Sequence, residues 1–249
     1  MAAERFRVLI TGSSDGLGRL AAQRLVALGH RVVLHARNAQ RARDAQAAVP
    51  EAEGVLVGDL SRLEAVQQLA EAANASGPFD AVIHNAGVYR APGDEILNVN
   101  TLAPYLLTCL IRKPRRLIYL SSGLHRGARP DLKKLAAGSI GYAESKFYVV
   151  LLAKAVARRW PDVYANAVDP GWVPTKMGGP EAPDSLEGGV ATQVWLAVSD
   201  DPRAKVSGRY FYHMREVPCH PLADEVALQE AFLETCARCT GVRFPSDPA

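Results

Sequence analysis

Short apolar runs rich in β-branched and aromatic residues alternate with longer stretches of helical periodicity from residue 6 almost to the end of the chain, and few architectures accept that order. Strands are predicted at Phe6–Ile10, Arg31–His35, Val55–Val57, Phe79–His84, Leu117–Leu120, Tyr164–Val168 and Arg209–Tyr212. Between them lie predicted helices at about 17–28, 38–48, 61–75, 95–111, 140–160, 185–198 and 222–238. Such alternation produces a parallel sheet with helices on both faces. A chain of 249 residues, 48% of them hydrophobic, can bury one large core, and no Pro, Gly or Ser-rich linker divides it. The expectation is one doubly wound α/β domain over residues 1–249, with about seven strands and a C-terminal helical segment at about 222–240.

Charge excludes some functions. Twenty-nine basic and 26 acidic residues give a net charge of +3, spread along the chain, which leaves no electrostatic footprint for nucleic acid or a membrane surface. The basic cluster Arg112, Lys113, Arg115 and Arg116 reads as a solvated connection. Met1 to Arg7 lack the apolar segment of a signal peptide and no apolar run has the length of a membrane span, so a cytoplasmic protein is expected. Cys219, His220, Cys236 and Cys239 invite a zinc reading. The last two lie in a helix-like run without glycines, where thiols pack as small apolar groups, so no metal is expected.

Chemistry-bearing residues track the predicted strand ends: Gly12 after the first strand, Arg37 after the second, Asp59 after the third, Asn85 after the fourth, Ser122 after the fifth and Pro170 after the sixth. Ligands of open parallel sheets bind at those ends. Glycines at 12, 16 and 18 let the first turn fold tightly against a ligand, while the following helix start offers free N–H groups and partial positive charge to a pyrophosphate. The spacing is G-x-x-x-G-x-G and not the usual G-x-G-x-x-G. Farther on, Tyr142 and Lys146 are four apart in a helical run, which places a phenol and an ammonium one turn apart on one face. A phenol must drop about three units, or about 4 kcal/mol, to become a base near neutrality, and a neighbouring cation is a means to that end.

In order and setting, Thr11 to Gly18, Asp59-Leu60, Asn85-Ala86-Gly87, Asn98-Val99-Asn100, Ser121-Ser122, Tyr142-Ala143-Glu144-Ser145-Lys146 and Asp169-Pro170-Gly171 resemble the motifs of the classical short-chain dehydrogenases/reductases. The resemblance covers roughly residues 5 to 213, and the stretch Leu117 to His125 looks most like the retinol-dehydrogenase-like branch. It implies a nicotinamide-dependent oxidoreductase acting on a small-molecule carbonyl or alcohol. Tyr142 would exchange a proton with the substrate oxygen, Lys146 would lower its pKa and hold the nicotinamide ribose, and Ser122 would hydrogen-bond the same oxygen. Asn100 would link Lys146 to solvent. Ser122 is preferred to Ser121 because the family's serine is the second of the pair.

The resemblance also implies a cofactor set: Gly12, Ser14, Gly16, Leu17 and Gly18 around the diphosphate; Asp59 and Leu60 at the adenine; Asn85, Ala86 and Gly87 along the adenosine; Pro170, Gly171, Val173 and Thr175 near the nicotinamide. No carboxylate stands at Ala36 to hold a ribose diol, whereas Arg37 offers a planar charged fork to a 2′-phosphate. NADP is therefore expected, with NAD possible. Asp15 is out of keeping, since some NADP-dependent relatives carry a basic residue in this loop.

Twelve residues separate Gly87 from Asn100 and 21 separate Asn100 from Ser122, both short for the family, so the usual interface helix is trimmed and a homo-oligomer is not assured. The Gly- and Pro-rich stretch beginning at Thr175 reads as a substrate lid over about 175–190, and Trp172, Met177 and Tyr89 point to an apolar pocket. The rival reading is a silent NADP(H)-binding sensor, which has no need of Ser122, Tyr142 and Lys146 together. An isomerase or dehydratase of extended relatives is disfavoured by the short chain and the glycine spacing.

Overall fold

The computed structural model describes residues 4–246. Its strands are β1 (Arg7–Ile10), β2 (Arg31–Ala36), β3 (Gly54–Val57), β4 (Ala81–His84), β5 (Arg116–Leu120), β6 (Tyr164–Asp169), β7 (Tyr210–Tyr212) and β8 (Arg215–Glu216). They form one sheet in the order β3-β2-β1-β4-β5-β6-β7-β8, parallel throughout except for the last pair. The direction of winding reverses between β1 and β4, which opens a crevice at their carboxyl ends.

The helices are α1 (Gly16–Ala27), α2 (Ala39–Ala48), α3 (Leu63–Ala75), α4 (Gly93–Leu97), α5 (Ala103–Leu110), α6 (Leu132–Ala136), α7 (Tyr142–Arg159), α8 (Leu186–Val198) and α9 (Val226–Thr240). The sheet separates two cores. Leu9 joins Leu69, Leu106 and Val150 on one side, while its neighbours Val8 and Ile10 meet Leu25, Ala45 and Val194 on the other. Burial on both faces explains why these strands read as continuous apolar runs. Truncating a fully buried leucine such as Leu9 to alanine costs about 2–5 kcal/mol.

Three expectations are corrected. The single helix predicted at 95–111 is three pieces: α4, a π-helical turn at Asn98–Leu102, and α5. Pro104 has no N–H for the carbonyl four residues back, that of Asn100, and the widened turn accommodates this. The sheet has eight strands rather than seven, because Tyr212 turns back through His213 and Met214, both at positive φ, into the two-residue β8. Arg116 is not solvated. It is 2% exposed, donates to the Leu196 carbonyl at 2.9 Å and lies over Phe6 and Tyr164, while Lys113 and Arg115 pair with Asp162 and Glu4.

The C-terminal segment lies across α5 and α7: Phe232 stacks on Tyr148 at 5.4 Å, Phe244 meets Trp160 at 4.8 Å, and Tyr105 Oη donates to the Val242 carbonyl at 2.8 Å. Among the described residues no helix is long and apolar enough to cross a membrane.

Candidate cofactor and catalytic site

A cavity of about 550 Å³ opens at the switch point. Its floor is the turn between β1 and α1. Gly12 sits at φ +63°, and a Cβ there would come within 2.9 Å of Ala86 Cα, so the turn excludes a side chain on both counts. At Gly18 a Cβ would lie 2.5 Å from both Asn85 Nδ2 and the Gly12 carbonyl. Asn85 fastens this turn, donating to the carbonyls of Thr11 at 2.9 Å and Gly12 at 3.2 Å, while Ala86 N–H donates to Thr11 Oγ1 at 3.1 Å. Asp15 caps α1 through Gly16 N–H at 2.8 Å. The floor is thus bare backbone at a helix N-terminus, the shape and charge that a diphosphate needs.

At the β2 end, Arg37 and Arg41 both border the cavity. Arg41 donates to Ser14 Oγ at 3.2 Å and pairs with Asp15 at 3.4 Å. Lys176, from the segment after β6, reaches Asp15 Oδ2 at 2.5 Å across the mouth. The hydrogen bond from Lys176 is the main reason that Asp15 is held down to about 2. Burial would raise the Asp59 carboxyl, but bonds from the Ser61 N–H and hydroxyl, with Arg37 and Arg62 nearby, outweigh it and leave Asp59 below its usual range.

Tyr142 opens α7 and faces the cavity beside Lys146. Lys146 Nζ is 5.5 Å from the phenol ring centroid and donates to the Leu120 carbonyl at 2.8 Å. Burial decides both titrations: it pushes Tyr142 up to about 12, against the Ser122 side chain, which draws it down, and brings Lys146 down to about 8. The cation one turn away does not depress the tyrosine in the protein by itself, and Tyr142 is a neutral phenol at pH 7. Ser122 stands at the end of β5, where its Oγ also accepts from Leu124 N–H at 3.3 Å and caps a 3₁₀ turn. Ser121, which borders the cavity where Ser122 does not, donates through its Oγ to the Lys146 carbonyl at 2.8 Å. Tyr89 packs edge-on against Tyr142 at 4.7 Å and is 42% exposed.

Asn100 lies inside the π-helical turn, 1% exposed. It clamps Val88 with both ends of its amide, accepting from the N–H at 2.8 Å and donating to the carbonyl at 2.9 Å, and also donates to Ser145 Oγ at 3.0 Å. A Cβ on Gly87 would sit 3.2 Å from Lys146 Nζ and 3.4 Å from Asn100 Oδ1, so the missing side chain is what brings this loop against the lysine.

Of the residues singled out from sequence, Gly12, Ser14, Gly16, Leu17, Gly18, Arg37, Asp59, Leu60, Asn85, Ala86 and Gly87 line one cavity with Tyr142, Lys146, Pro170 and Thr175. Four do not. Asn100 is behind the wall, Ser122 is at its edge by Tyr142, Gly171 makes a turn at φ +81°, and Val173 is buried near α8. Sequence reasoning missed His35 and Arg41 as cavity residues; for Arg41 the signal was a cation one turn into the helix after β2. Met177 borders the cavity, whereas Trp172 is 57% exposed with Nε1 donating to the Gly178 carbonyl at 2.8 Å. The four cysteines are free thiols, and no group of three metal-ligating side chains occurs among the described residues.

The short chain dehydrogenase family profile matches residues 7–110, the segment that builds the floor and adenosine side of this cleft. An uncharacterized oxidoreductase of Emericella nidulans is 45% identical over 252 residues, covering 96% of this chain and 98% of the relative. Retinol dehydrogenase 14 of Mus musculus is 30% identical over 87% of this chain and 80% of its own length, in keeping with the branch read from Leu117 to His125. Among solved structures, an NAD(P) dependent gluconate 5-dehydrogenase from Beutenbergia cavernae with bound NADP superposes with a TM-score of 0.69 at 26% identity, over 85% of this chain and 96% of that one. With a glycine turn at the switch point and a Tyr-Lys pair above it, the chain belongs to the short-chain dehydrogenase/reductase family, among oxidoreductases.

Proposed function

We propose that the protein interconverts a carbonyl and an alcohol with NADP(H), Tyr142 moving the proton. The observation that carries this reading is that the glycine turn, the cationic β2 end and the Tyr142–Lys146 pair open into one cavity. A bound nicotinamide supplies or accepts the hydride. The phenol of Tyr142, protonated at neutral pH, gives its proton to a carbonyl oxygen on reduction. Ser122 donates to the same oxygen as charge develops on it. Lys146, with one of its three protons already on the Leu120 carbonyl, has donors left for the ribose hydroxyls, and Asn100 holds the Val88 segment beside it. Two guanidinium groups at the β2 end, Arg37 and Arg41, with no carboxylate at Ala36, favour a cofactor with an extra phosphate there, although Asp15, Asp59 and Glu95 also line the cavity. The NADP bound by the 26% identical gluconate 5-dehydrogenase is consistent with that choice.

Met177, which lines the cavity, and Tyr89, packed edge-on against Tyr142, fit an apolar substrate, and the segment 175–190 acts as its lid. The face of α5 and α7 that could receive a second copy is covered by the chain's own C-terminal segment, so assembly does not use it. The protein works in the cytoplasm. Fluorescence titration with NADPH and NADH, followed by a panel of aldehydes and ketones, tests the reading. Turnover with NADPH preferred supports it. Tight NADPH binding with no turnover across the panel supports the sensor, and binding of neither cofactor removes the proposal.

A further inference from the structure

His35, at the end of β2, is 2% exposed and yet lines the cavity wall, and both its ring nitrogens are bonded to main chain from two different cofactor-facing segments. Nδ1 accepts from Gly12 N–H at 2.9 Å, and Nε2 stands 2.9 Å from the Gly58 carbonyl. The first bond requires a bare Nδ1 and the second a protonated Nε2, so the ring is neutral and held in one tautomer. Burial supports the same state, bringing the imidazole down to about 4. The main chain of His35 is knitted into the same turn. Its N–H donates to Ser13 Oγ at 2.8 Å, its carbonyl accepts from Ser13 N–H at 3.1 Å, and Ser13 Oγ donates to the Ile10 carbonyl at 2.9 Å.

We propose that His35 is a positioning residue for the dinucleotide, a bridge whose imidazole holds the Gly12 turn at a set distance from the Gly58-Asp59 end of β3. Gly12 is at positive φ and tight against Ala86, and α1 follows from the same turn, so a shift of its N–H re-aims the helix N-terminus under a diphosphate. Gly58 immediately precedes Asp59, on the adenosine side. The ring therefore ties the diphosphate end of the cleft to its adenine end before any cofactor arrives, and preorganisation of that kind appears as affinity. An aliphatic side chain of similar size fills the space and leaves the Gly12 N–H and Gly58 carbonyl without partners.

The proposal rests on the reading of the cleft as a dinucleotide site, and its test separates the two. NADPH and NADH are titrated by fluorescence against the parent, His35→Leu and His35→Asn, with circular dichroism and melting curves to establish folding. His35→Leu should weaken both cofactors by about tenfold or more and to the same degree, because the turn holds the part that they share. His35→Asn keeps an acceptor, Oδ1, near where Nδ1 stands but does not reach the Gly58 carbonyl, so it should weaken both cofactors equally and by less than His35→Leu. A folded His35→Leu that binds NADPH like the parent overturns the proposal alone. If His35→Leu does not fold, His35→Asn decides, and parental affinity for both cofactors there overturns the bridge. A parent that binds neither cofactor overturns the dinucleotide reading and this proposal with it.

Discussion

The two halves of the cleft are built by different means. On the β1–β4 side, recognition is made by main chain: glycines that admit no Cβ, a helix start, and the amide of Asn85 bonded to carbonyls. On the side beyond β5 it is made by side chains placed on irregular structure, with Ser122 at a 3₁₀ turn, Tyr142 at the first residue of α7, and a loop from Pro170 to Ser185 that folds on itself. Main-chain recognition tolerates little, because a single methyl group collides with backbone. Side-chain recognition can be re-aimed by changing a loop, which is where one family's substrates come to differ. The family profile stops at residue 110, before the second half begins.

The sharpest way to break the comparison is Tyr142→Phe, which keeps the ring and removes the proton. Turnover of a responsive carbonyl should fall by about a hundredfold to ten-thousandfold while NADPH affinity, set by the other half, changes little. Steady-state kinetics beside a binding titration reads both, and near-parental turnover would sink the proton-transfer role. The complementary change is Arg37→Ala. It should weaken NADPH by about ten- to a hundredfold and spare NADH, the loss expected for one charge-assisted contact. Equal effects on both cofactors would remove the argument for NADP.

Lys146→Met sharpens the comparison through stability. Burial lowers the Lys146 ammonium from 10.5 to about 8. Below pH 8 both states carry the proton and folding bears the full cost of burying it. Between pH 8 and 10.5 the unfolded chain holds a proton that the folded one has released, so stability rises with pH. That cost is about 3 kcal/mol at most, reduced by what the bond to the Leu120 carbonyl returns. Cofactor-free Lys146→Met should therefore melt higher than the parent at pH 7 and lose the advantage between pH 8 and 10.5; supplied with NADPH it should have little activity. A lower melting temperature at pH 7 would show that the lysine is satisfied where it lies.

The smallest effect belongs to Lys176→Ala. Its side chain is 84% exposed, so the bridge to Asp15 should be worth less than about 1 kcal/mol, a shift of a few degrees at most in a melting curve and smaller still in high salt. A larger loss would mean that the loop after β6 is fastened to the glycine turn through this pair.

The strand ends were legible because period-2 and period-3.6 patterns end where polar and glycine residues begin, and the glycine turn was legible because its residues are contiguous. Tyr142 and Lys146 were legible for the same reason, being one turn apart. The π-helical turn at Asn98–Leu102 was not, since its apolar spacing is that of any helix and only Pro104 marks the break. Val173, implied by the resemblance as a cofactor contact, is buried and does not line the cavity, because a loop's course is set by packing that a motif does not record. Arg116 resembled its solvated neighbours Arg112 and Arg115 until β5 carried it under Phe6. His35 read as one residue of a strand, and its bonds to Gly12 and Gly58 span 23 positions in each direction.

The sequence by itself determined the order of strands and helices, the place of the crevice and the family, because these follow from periodicity and from the conformational freedom of a few glycines, both local. Only the tertiary structure decided the state of the groups within the crevice. Tyr142 is a phenol lifted to about 12 and Lys146 an amine brought down to about 8, where sequence predicted a cation depressing its neighbour. The reason is that a titration depends on how much water the fold removes from a group, and here that loss is the largest influence on both side chains.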